Sequence, residues 1–175
     1  GGDLAIKEPW RMAVSYLYHA FKDELWNLQI PIFGELDRGK IQFIIEMMEK
    51  GLNCPETSSL GRLFDGISAL LGICYHSTYE GQAAIMLEME INDHRSGEFY
   101  NYEWSRGKES YLVSPKPIIQ GIVDDFMNGI GSNVLSYKFH LTLIKLFTDL
   151  CLQLKKETGI DQIVLSGGVF QNATL

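Results

Sequence analysis

The 175-residue chain has few cysteines, no cluster of positive charge and no long apolar run. Its three cysteines, Cys54, Cys74 and Cys151, lie far apart and form neither a CxxC pair nor a Cys/His ligand rhythm. Reduced thiols in a cytoplasmic protein are the simplest reading of that spacing. The net charge is −7 and the 15 Lys and Arg form no run. Affinity for a phosphate backbone needs clustered cations, so no nucleic-acid surface is expected in this segment. No apolar stretch approaches the roughly 20 residues that span a bilayer, and no signal-peptide pattern opens the chain. Repeats, low-complexity tracts and internal linkers are also missing.

What is present suits one globular domain. A hydrophobic fraction of 46% and 175 residues suffice for a proper core. The chain opens at Gly1-Gly2-Asp3 without Met and stops at Leu175, so a piece of something larger is expected.

Periodicity and end signals predict a helix-rich α/β fold. Glu8-Pro9 opens a first helix, with Trp10, Ala13, Val14, Leu17, Phe21 and Leu25 on its apolar face. A second runs from about Asp37 to Lys50 and stops at Gly51. Thr57-Ser58-Ser59 offers caps for a third helix ending near Gly72, with Leu60, Leu63, Phe64, Ile67, Leu70 and Leu71 inward. Ser77-Thr78-Tyr79-Glu80 has the capping-box form, so Ser77 should cap a fourth helix. Tyr100, Tyr102 and Trp104 answer Tyr111-Leu112-Val113 across Ser105–Lys108 as a two-stranded hairpin whose aromatics serve the core or a lobe contact. Pro117 to Gly129 frames another helix, flanked by Asp124-Asp125 as solvated charges. Ser132 or Asn133 caps the longest helix, which reaches about Glu157 and stops at Gly159. It should span roughly 36 Å. His140, beside its apolar seam, reads as a satisfied structural histidine.

Candidate chemistry lies in three places. Gly61, Asp65, Ser68 and Gly72 put one carboxylate among small residues on one helix face. Asp65 either accepts a ligand hydroxyl, packs against another helix, or pairs with Arg62 one turn earlier. Gly81 lies where helix propensity disfavours it, which suits a ligand held close to a helix start; Glu80 either serves that ligand or caps. Finally, Ile163-Val164-Leu165 reads as a short buried strand running into Ser166-Gly167-Gly168, whose amides could approach a phosphate, with the Asn172 amide beyond. A plain tight turn is the alternative.

Together these stretches resemble a known family. Lys7–Ala13, Thr57–Asp65 with Tyr79–Ala84, and Leu165–Asn172 closely resemble the C-terminal part of the hydrogenase-maturation carbamoyltransferases, the HypF family. Phe139-His140-x-Thr142-Leu143 is also similar. The resemblance runs essentially from end to end. It implies that residues 1–175 are the second lobe of an actin-like (ASKHA) ATPase fold, with a small hairpin and a truncated C-terminal sheet portion. It further implies transfer of a carbamoyl group from carbamoyl adenylate, made from carbamoyl phosphate and ATP, to a C-terminal cysteine of a HypE-type partner. By that likeness Asp65 and Glu80 would accept ribose hydrogen bonds and Gly81 would leave room for the sugar. Gly167 and Gly168 would line the phosphates, and Asn172 would help fix the adenosine end.

Departures accompany the likeness. Related enzymes bind a divalent metal through an His-x-x-x-His pair and an aspartate beyond the glycine loop. His19, His76, His94 and His140 lack that spacing, so the metal's ligands are expected outside this chain. The acceptor thiol would belong to the partner, so none of the three cysteines is a nucleophile, and the chain alone is expected to be catalytically incomplete. Self-association through an exposed lobe face is a further expectation. Two other readings stand beside this one: a relative that carbamoylates a small molecule or tRNA, and a helical interaction module whose glycines only make turns. Phe170-Gln171 and Glu80-Gly81-Gln82 favour the hydrogenase family, and the acidic charge weakens tRNA.

Overall fold

The computed structural model describes residues 2–93, 95–108 and 110–175; His94 lies outside them. Eight α-helices occur among these residues: α1 Leu4–Lys7, α2 Trp10–Phe21, α3 Ile32–Glu35, α4 Arg38–Glu49, α5 Leu60–Leu70, α6 Gln82–Glu90, α7 Lys116–Met127 and α8 Ser132–Thr158. A hairpin of β1 Glu103–Arg106 and β2 Tyr111–Ser114 pairs antiparallel, with Trp104 opposite Val113 and Ser105 opposite Leu112. Short 3-10 segments cover Lys22–Asn27 and Gly168–Gln171.

The core is organised around α5. Ser59 caps it, its Oγ accepting from Arg62 N at 3.4 Å, while Thr57 Oγ1 steadies the cap by accepting from Ser59 N at 3.1 Å. From Phe64 to Leu71 every residue is buried, so α5 is enclosed rather than laid down on one stripe. It packs against α2 on one side and α6 on another, with α8 behind α6 and α7. Close approach to α2 depends on Gly66: a Cβ there would meet ring carbons of Tyr16 at 2.6 and 2.7 Å. Phe64 reaches α8 edge-on, its ring centroid 5.1 Å from that of Phe139.

The predicted helices and hairpin form, though Ser105 and Arg106, expected in the hairpin's turn, pair with Leu112 and Tyr111, and four further differences lie outside the candidate site. The first helix ends at Phe21, where Lys22 takes a positive φ of 52°, and the 3-10 turn that follows buries Leu25 by a different route. Neither Ser132 nor Asn133 caps α8; extended Gly131 precedes it without a side-chain cap. Asp125 is no merely solvated charge, because Lys138 Nζ lies 2.7 Å from its Oδ2. Tyr100, Tyr102 and Trp104 do contact the core.

The fourth difference is the expected strand. Ile163, Val164 and Leu165 are not in a ladder, and Val164 is 88% exposed. A branched apolar run favours a sheet only where neighbouring strands complete its hydrogen bonds, and β1 and β2 are the only strands among the described residues. The segment joins no ladder among the described residues.

Candidate nucleotide site

Asp65 is the central side chain. It is 3% exposed, and Arg62 Nη2 lies 2.8 Å from its Oδ2. The pairing alternative raised by the sequence is therefore realised, inside the fold rather than on its surface. Burial pushes the Asp65 carboxyl up to about 6, and Arg62 opposes that rise. Tyr16, brought in by α2, has its phenol raised to about 12 by burial and by the Asp65 charge.

The small-residue face around Asp65 meets different neighbours at its two ends. A Cβ on Gly61 would sit 3.9 Å from Val169 Cγ2, so the glycine loop rests on the start of α5. At the other end Gly72, with φ of 78°, lies against Pro31 and Tyr75. Thus α5 touches both α6 and the Gly168–Gln171 turn, which brings the three candidate stretches together at the level of elements.

Glu80 and Gly81 differ from the capping expectation. Ser77 caps nothing; its amide donates to Lys7 O at 2.9 Å. Helix α6 starts only at Gln82, because Gly81 is left-handed at φ 79° and turns the chain just before it. Gln82 takes the reciprocal role, its Oε1 accepting from Thr78 N at 2.7 Å and Thr78 Oγ1 at 3.1 Å. Glu80 is thereby released. It is exposed and makes no side-chain hydrogen bond or ion pair among the described residues. A Cβ at Gly81 would meet nothing within 4 Å, so the space beside it is open.

The glycine loop is built by backbone conformation and held by one side chain. Gly167 has φ 97° and ψ 159°, a region essentially closed to residues with a Cβ. Neither Gly167 nor Gly168 has an atom within 4 Å of where a Cβ would stand. Asn172 Oδ1 accepts from Thr174 N at 3.0 Å and Leu175 N at 2.9 Å. Its Nδ2 must then face His140 Nε2, 2.9 Å away. His140 Nδ1 lies 2.7 Å from the carbonyl of Ser136, so the ring proton sits on Nδ1 and Nε2 accepts from Asn172. Burial lowers the His140 pKa from its ordinary 6.5, which keeps that neutral form. Thr174 N also donates to Glu88 Oε1 at 3.0 Å, tying the loop to α6.

His140 and Glu88 therefore belong to the architecture of the site, a role the sequence reading did not give them. The available signal was a histidine four residues past Ser136 on an otherwise apolar seam. Asn172 has most of its hydrogen-bonding capacity engaged within the fold, leaving one amide N–H for anything else. The candidate residues do not line an enclosed hollow. A cavity of about 420 Å³ lies between Tyr16, Ser58, Leu63, Leu112 and Phe147, and one of about 180 Å³ lies beside Trp10, Arg11, Lys40 and His76. Asp65, Glu80, Gly81, Gly167, Gly168 and Asn172 line neither.

Residues 1–175 match the family described as the carbamoyltransferase Kae1-like domain, second subdomain. Carbamoyltransferase HypF of Synechocystis sp. is 31% identical over 187 residues, covering 100% of this chain and 24% of that protein. A probable carbamoyltransferase HypF of Methanocaldococcus jannaschii is 30% identical, covering 98% of this chain and 22% of the relative. Among solved structures, full-length HypF in its phosphate- and nucleotide-bound form superposes with a TM-score of 0.85 at 34% identity, covering 98% of this chain and 26% of that one. HypF of T. kodakarensis gives a TM-score of 0.80 at 29% identity, covering 99% and 23%. The chain spans about a quarter of the length of these relatives.

Proposed function

The chain belongs to the HypF carbamoyltransferase family, and we propose that it forms one wall of the nucleotide cleft in such an enzyme. The observation that carries this reading is the sharing of α5: the helix that buries Asp65 beside Arg62 also supports the Gly168–Gln171 turn and the helix behind Gly81. In this reading Glu80, unengaged and exposed, and Asp65 accept hydrogen bonds from the ribose, and the open space at Gly81 admits the sugar. Gly167 and Gly168 let the phosphates lie against the loop backbone. Asn172 fixes the loop through His140 and offers its remaining N–H toward the adenosine end.

The reaction we assign to the intact protein is carbamoyl transfer from carbamoyl adenylate, formed from carbamoyl phosphate and ATP, to the C-terminal cysteine of a HypE-type partner in nickel–iron hydrogenase maturation. The partner's thiol gives up its proton and its sulfur bonds the carbamoyl carbon. The carbon–oxygen bond to the phosphate breaks, and its electron pair leaves on AMP. This chain's contribution is to hold and orient the nucleotide, and alone it is catalytically incomplete. Its free Cys54, Cys74 and Cys151 are assigned no covalent role. Among the described residues no three His, Cys, Asp or Glu converge to hold an ion, and we place the ligands of the divalent metal implied by the family outside this chain. Chemistry on a free thiol suits a reducing, cytoplasmic compartment. Among the described residues no helix is long and apolar enough to cross a membrane.

Titration calorimetry of the intact protein with ATP tests the proposal. Binding by the parent, lost in a folded Asp65→Ala variant, supports the cleft. Unchanged affinity in that variant would leave the glycines as turns and the domain as an interaction module.

A further inference from the structure

Arg62 Nη1, Asp65 Oδ2 and Ser68 Oγ are all buried on α5 without an aligned hydrogen-bond partner among the described residues. They are spaced one turn apart, so they form a stripe along a single helix face. The Arg62 Nη2 to Asp65 Oδ2 contact of 2.8 Å supplies charge attraction but not a well-directed bond. Buried polar atoms left in this condition are uncommon and need a physical reason.

We propose that Arg62 is a positioning residue of the nucleotide site, holding the Asp65 carboxylate charged and turned as an acceptor for ribose hydroxyls. This rests on the nucleotide reading above. A carboxylate enclosed to this degree is driven toward its neutral acid, which would be a donor at one oxygen and a poor partner for a diol. Arg62 is the one charged group that acts against that drive among the described residues. Tyr16 is the titratable group that α2 brings to the pair, and it is neutral at physiological pH. The other elements packed on α5, namely α1, α6, α8 and the Gly168–Gln171 turn, set no charged group on Asp65 among the described residues, and His140 of α8, its ring 5.2 Å from that of Phe64, is kept neutral by burial. Glu88 of α6 is engaged with Thr174 instead. The planar guanidinium also keeps Nη1 in reserve for a second acceptor, which an ammonium could not do in the same geometry.

Two measurements test this on the parent, Arg62→Met and Arg62→Lys. In the first, ATP affinity of the intact protein is followed from about pH 5.5 to 8.5. The parent should hold its affinity across neutral pH. Arg62→Met should bind about threefold more weakly near pH 6.5 for the first unit by which Asp65 titrates higher and nearly tenfold for each further unit, and should recover in alkali. Arg62→Lys should restore much of the neutral-pH affinity; because it keeps a charge, it also serves if the Met variant fails to fold. An unchanged or uniformly weakened affinity with the parent's pH profile would mean a structural role only and would overturn the proposal. In the second, the Asp65 side-chain carbon is titrated by NMR without ligand. An upward shift of its midpoint in Arg62→Met, less in Arg62→Lys, supports the proposal, and no shift overturns it. If the parent binds no ATP, or Asp65→Asn binds as well as the parent, the nucleotide reading fails, while the ligand-free titration still decides what Arg62 does to Asp65.

Discussion

Replacing Asn172 by Ala should release the glycine loop without unfolding the domain. The change removes three hydrogen bonds, to His140 Nε2 at 2.9 Å and from the amides of Thr174 at 3.0 Å and Leu175 at 2.9 Å. Each contributes about 1 kcal/mol net, and leaving a buried acceptor unpaired adds roughly 1–3 kcal/mol more. His140 is fully buried, so its Nε2 bears that second cost. Thr174 N retains Glu88 Oε1 and Leu175 N can turn to water, so those two bonds count for little, and the lost His140 bond with its orphaned acceptor sets the total at about 3 kcal/mol. Beyond Gly159 the segment rests on the domain through few side chains, among them Val169 and Leu175, so the loss should appear as local opening. At 1.36 kcal/mol per factor of ten, that opening rises by about 150-fold. Hydrogen exchange reads it directly, because the Phe170 and Asn172 amides close the turn by donating to Gly167 O and Val169 O. Acceleration below about threefold at these amides would refute the reasoning, since it would mean the Asn172 contacts contribute almost nothing net. An equal acceleration along α8 would refute the claim that the loop opens alone.

Glu80→Ala should leave thermal stability within about 0.5 kcal/mol, because its side chain has no partner to lose among the described residues, yet weaken ATP binding by the intact protein about ten- to hundredfold; a calorimetric affinity equal to the parent's would remove Glu80 from the site. Burial lowers the His140 pKa, so below 6.5 the unfolded chain takes up the proton more readily than the folded one, and stability present above 6.5 falls as pH drops toward the lowered folded value. Urea midpoints between about pH 5 and 7.5 should show a slope in the parent that flattens in His140→Phe, and identical slopes would contradict it. The row of exposed Ile160, Ile163, Val164 and Leu165, outside any strand ladder among the described residues, should make the isolated chain self-associate; a clean monomer across a wide concentration range in ultracentrifugation would count against this.

Much of the fold was legible because its signals are local. Asp37 caps α4 as its residue type suggests, accepting from Gly39 N at 2.8 Å and Lys40 N at 3.3 Å. Gly129 and Gly159 stop their helices at φ near 80° and 73°. Illegibility begins where two local signals compete or a partner lies far along the chain. Ser77 and Glu80 match a capping box, but the left-handed Gly81 prevents a helix from starting there, and the Lys7 carbonyl, distant in sequence, takes the Ser77 amide. The strand pattern at Ile163–Leu165 states a preference that only neighbouring strands can satisfy. The all-round burial of α5 was also hidden, because Gly66 and Ser68 look like surface residues until Tyr16 and the surrounding helices close over them.

The candidate site divides by how much hydrogen-bonding capacity the fold has already used. Asn172 has given both acceptor sites and one donor to the loop and to His140, so its main action is to set the backbone of Gly167 and Gly168. Asp65 is held by Arg62 and enclosed, so a ligand reaches it only if the enclosure opens. Glu80 is exposed and uncommitted. The capping box offered Glu80 a capping role as the alternative to a ligand; the structure gives that role to Gln82, which leaves Glu80 available. A nucleotide approaching this wall would meet Glu80 and the open glycine backbone first, and the buried carboxylate last. Discrimination for a ribose diol would then arise at the final step, where opening the enclosure around Asp65, with Arg62 still in place, must be repaid by hydroxyls that only a correctly seated sugar can offer.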